Sequence, residues 1–343
     1  MTAARALTLI LCAAAASACA QVIGLDDSLP AAACEARLHS DPANCGACGR
    51  TCQGGACVDG RCAPMTLARD QAQPVALALD ATRVFWVLED GGLGWARKDG
   101  TQNGTLWQAP AGDSGRGIAI DGGNLYWHTS LAVRRAPAGG GDIAVDEVAQ
   151  TVGYLRRCAV AGGTVYCSAG SCANDVESCV AWWPFGNPAG AVFTHNQPWA
   201  DRVVVDEQYV YWTNNTSPGE VRRVRRDAQG LIQDLATDLD QPGPLAVAAG
   251  AVYWVDATWS LRRLAPDATV PTSLAGGLPG VSDLAVDASG AYLASSYDVS
   301  MVPPGGGDPQ QLAAVRSSWS LALDDDAVYW VDHDAGTVMK VWK

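Results

Sequence analysis

A ten-residue pattern recurs seven times between residues 77 and 330, and it limits the fold more than any other feature of the chain. Each copy starts with an apolar–Ala–apolar or similar triplet and passes a turn of Asp, Gly or Ala, and five of the seven end on an aromatic pair such as Tyr-Trp. The copies start at Leu77, Ile118, Cys158, Val203, Leu245, Leu284 and Leu321, at steps of 41, 40, 45, 42, 39 and 37 residues. A period near forty, with short strands and turn residues, is typical of a β-propeller.

Each copy is interpreted as a β-hairpin whose first strand lines the central channel of the ring. The first and last residues of the window should then face each other across the hairpin. In the third copy these residues are Cys158 and Cys167, so we expect a cross-strand disulfide there. Cys172 and Cys179 would close the next loop. Four buried free thiols are the alternative, and an exported chain makes them less favoured.

The sequence predicts how the ring closes. A fourth strand with an apolar–Ala pattern follows several copies, but the seventh copy has none because the sequence stops at Lys343. The same apolar–Ala pattern occurs upstream, at Pro64–Ala68, just before the first copy. An N-terminal strand that completes the last blade would remove the free sheet edge. We therefore predict an all-β fold, with a seven-bladed β-propeller over residues 64–343.

The Val-Tyr-Trp copies resemble the YWTD repeats of lipoprotein-receptor propellers. The nearest copy reads Tyr-Trp-Thr-Asn at residues 211–214, followed by Tyr-Trp-Val-Asp at residues 253–256 and 329–332. In that family the Asp joins neighbouring blades by hydrogen bonds, so the resemblance implies structural roles for Asn214, Asp256 and Asp332. It supports the fold without identifying a ligand, because one fold hosts many functions.

The N-terminus has the features of a secretory signal peptide over residues 1–18. Arg5 precedes an apolar, Ala-rich run that ends in small residues, and the run is short for a membrane span. The sequence Ala-Ser-Ala-Cys at residues 16–19 resembles a bacterial lipobox, which implies lipidation of Cys19 and a lipid-anchored tether over residues 19–33. Ordinary cleavage after Ala18 or Ala20, giving a secreted protein, and a retained anchor are the alternatives.

A small cysteine-rich module is predicted over residues 34–62. Six cysteines fall within these 29 residues, separated by Gly and Asn with almost no apolar material: Cys34, Cys45, Cys48, Cys52, Cys57 and Cys62. Such a segment cannot bury a core, so three disulfides are expected, with 15 possible connectivities. Residues 41–62 resemble the module of stigma-specific secreted proteins. A metal site at Cys45 and Cys48 is the alternative, and it requires thiolates.

The loops at one face of the ring supply the candidate binding residues. The net charge is −13 and there is no strong basic patch, which argues against a nucleic-acid partner. The predicted face is mainly acidic with a few aromatics, and its candidate residues are His128, Trp199, Asp256, Trp259, Trp319, Asp332 and His333. The tryptophans could anchor a protein or a glycan, or they could pack between blades.

The first hypothesis for function is therefore a non-catalytic scaffold, monomeric and without a cofactor, that binds an envelope or extracellular protein or glycan at the bacterial cell surface. The alternative is a lyase or lactonase-type enzyme that uses His128 and His333 at the channel mouth, although exposed histidines without a role would also fit. A third hypothesis is calcium bound by carboxylates such as Asp332 and Asp334, since carboxylates are hard oxygen ligands. No metal ligand set is assigned.

Overall fold

The computed structural model describes residues 35, 37–52, 55–110, 114–130, 132–140, 154–171, 178–184, 191–194, 196–227 and 231–343. The chain divides into two compact units, Met1–Ala63 and Pro64–Lys343. The predicted signal peptide and tether, with Cys19, lie outside the described residues, as do Cys34 and Cys172. Among the described residues, no helix has the length and hydropathy that crossing a bilayer requires.

The first unit contains a small hairpin held by disulfides. Its two strands are β1 (Cys57–Val58) and β2 (Arg61–Cys62). Disulfides join Cys45 to Cys57 and Cys52 to Cys62, and Cys48 is also disulfide-bonded. The sulfurs of Cys45, Cys52 and Cys62 lie within 4.8 Å of one another. All three belong to disulfides, so they offer no thiolate for a metal ion.

The second unit is a seven-bladed propeller of antiparallel sheets, as the repeats predicted. Six blades have four described strands and blade 2 has three, because residues 141–153 lie outside the described part. Blade 7 takes its fourth strand from the start of the unit. The strands are β3 (Met65–Ala68); in blade 1, β4 (Pro74–Leu79), β5 (Arg83–Leu88), β6 (Leu93–Arg97) and β7 (Asn103–Trp107); in blade 2, β8 (Gly115–Asp121), β9 (Asn124–Thr129) and β10 (Val133–Pro137); in blade 3, β11 (Leu155–Ala161), β12 (Thr164–Ala169), β13 (Cys179–Pro184) and β14 (Ala191–Thr194); in blade 4, β15 (Ala200–Val205), β16 (Tyr209–Asn214), β17 (Gly219–Arg225) and β18 (Gln233–Leu239); in blade 5, β19 (Leu245–Ala248), β20 (Ala251–Val255), β21 (Leu261–Leu264) and β22 (Thr272–Ala275); in blade 6, β23 (Val281–Asp287), β24 (Gly290–Ser295), β25 (Asp298–Val302) and β26 (Gln310–Ala314); and in blade 7, β27 (Ser318–Leu323), β28 (Ala327–Asp332) and β29 (Thr337–Trp342).

The first two strands of every blade pair in the register that the repeats predict. The first and last residues of each ten-residue window are cross-strand partners in all seven blades, for example Leu77 with Trp86 and Leu321 with Trp330. Five of these final positions are tryptophans that are at most 1% exposed: Trp86, Trp127, Trp212, Trp254 and Trp330. A large buried ring between successive sheets explains why the sequence has 13 Trp and only 3 Phe.

Blade 3 replaces this contact with a disulfide. Cys158 and Cys167 are cross-strand partners and are covalently joined. Cys179 is disulfide-bonded as well, and the predicted pairing with Cys172 falls on a residue outside the described part. The alternative of four free thiols is therefore wrong for Cys158, Cys167 and Cys179.

The ring closes through the N-terminal strand, which confirms the prediction from the apolar–Ala pattern. Strand β3 pairs antiparallel with β29, with Ala68 opposite Val338 and Thr66 opposite Met339. Leu67 is 2% exposed and belongs to a core cluster with Trp86 of blade 1 and Tyr329 of blade 7. The first and last parts of the propeller sequence are therefore held in one sheet.

Charged side chains also tie blade 7 to its neighbours. Lys98 of blade 1 forms a 2.8 Å ion pair with Asp324, and Lys343 pairs with Asp287 of blade 6. Burial raises the pKa of Asp324, but hydrogen bonds from Lys98 and Tyr329 outweigh it and leave the pKa below its usual value. These partly buried contacts join three successive blades around the closing sheet.

Candidate functional site

A repeated backbone irregularity shapes the mouth of the central channel. The pairing of the two innermost strands shifts register near the start of the first strand in six of the seven blades. Only blade 5 lacks the shift. A bulge of this kind bends a strand and re-aims a side chain. The residues at these positions, just before the apolar–Ala–apolar triplet, include Arg116, Arg157, Arg202, Asp283 and Trp319.

These residues line a cavity of about 150 Å³ to which the innermost strands of all seven blades contribute. Among the described residues that line it, the charged groups are Arg116, Arg157 and Arg202 against a single carboxylate, Asp283. The three arginines come from the consecutive blades 2, 3 and 4. In a chain of net charge −13, the channel therefore has a locally cationic lining.

The arginines are held by neutral partners more than by carboxylates. Arg157 Nη1 donates to the carbonyl of Arg116 at 3.2 Å, and Arg202 Nη2 donates to the carbonyl of Ser282. Arg202 lies 3.8 Å from Asp283 and 3.9 Å from Asp201, at the edge of ion-pair range. Among the described residues, the buried Nε atoms of Arg157 and Arg202 have no hydrogen-bond partner.

The electrostatics of Arg157 show that the nearby carboxylates do not neutralise this group. The positive charge of Arg202 and then burial lower the pKa of Arg157 to about 10, with a smaller contribution from Arg116. Asp201 and Asp283 act in the opposite direction and do not cancel the effect. A lowered arginine pKa means that the positive charge of Arg157 itself is less favourable here than in water.

His128 lies in the same cavity, and the structure places it in the interior instead of in solvent. It is 2% exposed on β9, and its Nδ1 lies 3.2 Å from the carbonyl of Thr129. Its Nε2 has no partner among the described residues. A Cβ on Gly117 would lie 2.5 Å from that Nε2, so glycine at this position is what lets the imidazole pack against β8.

Burial makes His128 a neutral side chain. Desolvation, assisted by the charges of Arg157 and Arg116, lowers the pKa of His128 to about 3, despite the opposing hydrogen bond to Thr129. Its ordinary pKa in an unfolded chain is about 6.5. Between these values the unfolded chain binds a proton that the folded protein does not, so stability falls as the pH falls below about 6.5.

We expect His128→Gln to remove this acid sensitivity. Between pH 7.5 and pH 5.0, wild type should lose about 2 kcal/mol of unfolding free energy that the variant does not lose. Urea unfolding at the two pH values measures the difference. His39→Gln, at an exposed histidine of the cysteine-rich module, is the matched control and should behave as wild type. An equal pH dependence in wild type and His128→Gln would contradict a buried neutral imidazole.

His333 occupies a different environment from His128. It follows β28, is 6% exposed, and places Nδ1 2.7 Å from Asp334 and Nε2 3.7 Å from Glu89. The ring of Trp319 stacks on it, with centroids 3.9 Å apart and planes within 4°. Trp319 also lines the cavity, so its ring contacts His333 and forms part of the cavity wall. The alternative from the sequence, that His128 and His333 are exposed residues without a role, is wrong about their exposure, because both are buried.

The acidic candidates accept hydrogen bonds from nearby loops. The Asp332 carboxylate accepts hydrogen bonds from the backbone of Arg316 at 2.9 Å and of Ser317 at 3.3 Å, in the connection from blade 6. Asp256 accepts from the backbone of Thr258 at 3.1 Å and from Arg262 at 3.2 Å. Both are 6% exposed, in contrast to the exposed binding positions that the sequence suggested.

The exposed aromatic side chains of the propeller share one end of the ring. Innermost strands begin at this end, so connections between blades and loops between second and third strands meet there. Within the described part of the propeller, every exposed tyrosine or tryptophan lies in one of these segments or, for Trp319, at the start of innermost strand β27: Tyr154, Trp199, Trp259, Tyr297 and Trp319. We call these five residues the aromatic end. The tryptophans that could have packed between blades are 57%, 55% and 41% exposed at positions 199, 259 and 319.

Part of the aromatic end is an ordered stack. The guanidinium of Arg156 lies 4.0 Å from the Trp199 ring centre and donates to the Tyr154 hydroxyl at 3.0 Å. Trp199 and Trp259 have φ values of 54° and 58°, a region that bulky side chains rarely adopt. Their backbone carbonyls are held by the amides of Asn215 and Leu278. The backbone is thus fixed while the rings remain in solvent.

Sequence reasoning missed the arginine-lined cavity. The signal was present, because charged residues cluster in the two positions before the repeat window in blades 2, 3, 4 and 6: Arg116, Arg156, Arg157, Asp201, Arg202 and Asp283. A strand that lines a channel has little reason to carry such charges for stability alone. Comparing the seven copies at those positions would have identified the site.

Structural comparisons support the fold. The WD40 propeller domain of Doa1 matches with a TM-score of 0.62 at 13% identity, over 82% of this chain and 97% of that one. A crystal structure of a nidogen/laminin complex matches at 0.54 and 18% identity, over 67% and 93%. A proposed gluconolactonase matches at 0.50 and 14% identity, over 82% and 91%. At these identities the likeness is one of fold.

No protein-family profile and no curated protein sequence matches the chain. The motif resemblances to YWTD repeats, to the cysteine-rich module and to a lipobox therefore rest on the residues quoted for them. The structural neighbours include both a binding assembly and a proposed enzyme, so function has to be argued from this chain's own site.

Proposed function

We propose that this chain is an exported, lipid-anchored surface protein whose propeller is a non-catalytic binding scaffold for an envelope or extracellular protein or glycan. The observation that carries the proposal is the aromatic end: all five exposed aromatics of the described propeller lie at one end of the ring. Exposed apolar area that is gathered in one place marks an interaction site more often than scattered single residues do.

The composition of the aromatic end suits binding. Tryptophan, tyrosine and arginine are the residues most enriched in binding hot spots, and Tyr154, Arg156 and Trp199 stack together there. Two of the tryptophans sit in left-handed backbone conformations, which cost about 1 kcal/mol or more each. Because the rings are exposed, their burial does not offset this strain energy. This favours a role in binding instead of in stabilising the fold.

Export is supported by the cysteine chemistry. The described part of the chain carries disulfides in the cysteine-rich module and in blade 3, and disulfides persist in oxidising compartments. Cys19 would carry the lipid, and the propeller would act as a monomer without a bound cofactor. A protein partner or a glycan would then be met outside the cytoplasm.

Glycine substitution at Trp199 and Trp259 tests the proposal. Glycine accepts φ values near 55° at little cost, so the double variant removes two rings without imposing backbone strain. We expect unfolding free energy within about 1 kcal/mol of wild type and at least a tenfold loss of binding to the glycans or purified envelope proteins that retain wild type on an array. Leu231→Ala with Val270→Ala, exposed aliphatic positions at the opposite end, should bind as wild type.

Two results would overturn the binding proposal. Undiminished binding by the Trp199→Gly/Trp259→Gly variant would remove the aromatic end from the site. Turnover of a lactone or lyase substrate that disappears in His333→Gln would replace the scaffold by the catalytic alternative, because His333 has Asp334 at 2.7 Å from Nδ1 and, among the described residues, an Nε2 without a hydrogen bond, 3.7 Å from Glu89. That arrangement orients an imidazole as a general base.

A further inference from the structure

We infer that the channel cavity is a binding site for a small oxyanion, a carboxylate or phosphate group, held by Arg116, Arg157 and Arg202. The inference rests on the proposed binding function, since it assigns a chemical class to one group of the ligand. It concerns a part of the ring that the aromatic end does not contain, apart from Trp319, which lines the cavity.

The first argument is the state of the arginines. A buried guanidinium is normally hydrogen-bonded and paired, because burying an unpaired charge is costly. Among the described residues, Arg157 has no carboxylate within 4 Å, Arg202 has only the long contacts to Asp201 and Asp283 at 3.9 and 3.8 Å, and the Nε of each arginine lacks a hydrogen-bond partner. Three cations from consecutive blades around one cavity are unfavourable to one another unless an anion is bound between them.

The second argument is how the arginines are oriented. Bulges at Leu155/Arg157 and Ala200/Val203 place Arg157 and Arg202 at the channel. Backbone carbonyls of Arg116 and Ser282 hold one nitrogen of each guanidinium. Because each planar guanidinium carries five N–H donors, the remaining donors are available in a fixed orientation. Oxyanions are the ligands that match the paired N–H donors of a guanidinium held in a fixed orientation.

The third argument is a second buried polar group without a partner. His128 is 2% exposed, lines the same cavity, and has an unpartnered Nε2. Gly117 leaves the space that this ring occupies. With Nδ1 donating to the Thr129 carbonyl, Nε2 is an acceptor, so it can take a hydrogen bond from a protonated oxygen or a hydroxyl of the bound molecule.

Cavity size limits what can enter. Its volume of about 150 Å³ is below the range of about 300–1,000 Å³ that is usual for drug-sized ligands. A single carboxylate or phosphate group fits. Because the cavity is near the start of the innermost strands, a ligand held by the aromatic end could place its anionic group among the arginines.

The test is anion binding by the full chain at constant ionic strength. We expect inorganic phosphate or malonate to raise the midpoint of thermal unfolding and to bind with measurable heat, whereas equivalent sodium chloride does neither. Comparison of the affinities for phosphate and for malonate shows which oxyanion is preferred. Arg157→Gln should weaken binding at least about tenfold through loss of charge-assisted hydrogen bonds, and Arg116→Gln, at the exposed edge of β8, should weaken it as well.

Arg225→Gln is the matched control, because Arg225 is 54% exposed and pairs only with Asp227 among the described residues. It should bind phosphate and malonate as wild type. Absence of binding by both anions, or equal binding by Arg157→Gln and Arg225→Gln, would overturn the oxyanion site. Such a result would leave the Trp199→Gly/Trp259→Gly assay unaffected, so failure of the anion site and failure of the scaffold proposal are distinguishable.

Discussion

Leu67→Asp is expected to abolish cooperative folding of the propeller or to lower its unfolding free energy by at least about 4 kcal/mol. Leu67 is 2% exposed in β3, and its neighbours come from blade 1 and blade 7. An aspartate there would place a carboxylate in an apolar cluster that includes Trp86, Tyr329 and Val338. Most single domains have an unfolding free energy of only about 5–15 kcal/mol, so this one change removes much of the propeller's stability.

Closure is the reason that a four-residue strand has so large an effect. Strand β3 covers the edge of β29, which would otherwise expose unpaired backbone groups along blade 7. Loss of β3 also uncovers the face that blade 7 presents to blade 1. We therefore expect the variant to form oligomers by edge pairing as well as to unfold more easily.

Chemical denaturation and size-exclusion chromatography of the full chain measure both effects. Leu67→Ala should give an intermediate loss of about 2–5 kcal/mol, which keeps the test informative if Leu67→Asp does not fold. Arg69→Asp, one residue after the end of the strand and exposed, should stay within about 0.5 kcal/mol of wild type. A Leu67→Ala protein as stable as wild type would show that the ring does not depend on this closure.

The fold could be predicted because each blade repeats the same physical requirement. In five blades a tryptophan opposite an aliphatic residue fills the space between sheets, as Trp86 does opposite Leu77, and in blade 6 Leu293 takes its place opposite Leu284. The exception in blade 3 was predictable for the same reason, because Cys158 and Cys167 occupy the two facing positions. The missing last strand followed from counting strands per blade.

The site was less predictable because it depends on departures from the repeat. The arginines reach the channel through β-bulges, and a bulge changes the direction of a side chain without a mark in the apolar–Ala–apolar pattern. Strict alternation would have assigned Arg156 and Arg157 to opposite faces. Burial of His128 was likewise hidden, because the space for its ring comes from Gly117 on the neighbouring strand. Side-chain charge at equivalent blade positions was the available signal.

Gly94→Ala is expected to destabilise the propeller by about 2–3 kcal/mol or more, through overpacking against Trp86. Gly94 lies directly opposite Trp86 in blade 1, and a Cβ at Gly94 would lie 2.2 Å from the indole ring. Trp86 is 1% exposed, and its Nε1 donates to Gln71 at 3.0 Å. The ring cannot move away without breaking that bond or entering neighbouring core residues, since interiors are close-packed.

The same sheet supplies the control for Gly94→Ala. Gly104 lies opposite Trp95, but a Cβ there would be 3.4 Å from the nearest ring atom, an ordinary contact. Gly104→Ala should therefore be neutral or stabilising by up to about 1 kcal/mol, because alanine reduces the freedom of the unfolded chain. Urea unfolding of both variants compares them directly. Equal stabilities would contradict the close approach of β6 to Trp86, whereas a loss confined to Gly94→Ala would show that the repeated tryptophan needs a glycine opposite it in blade 1.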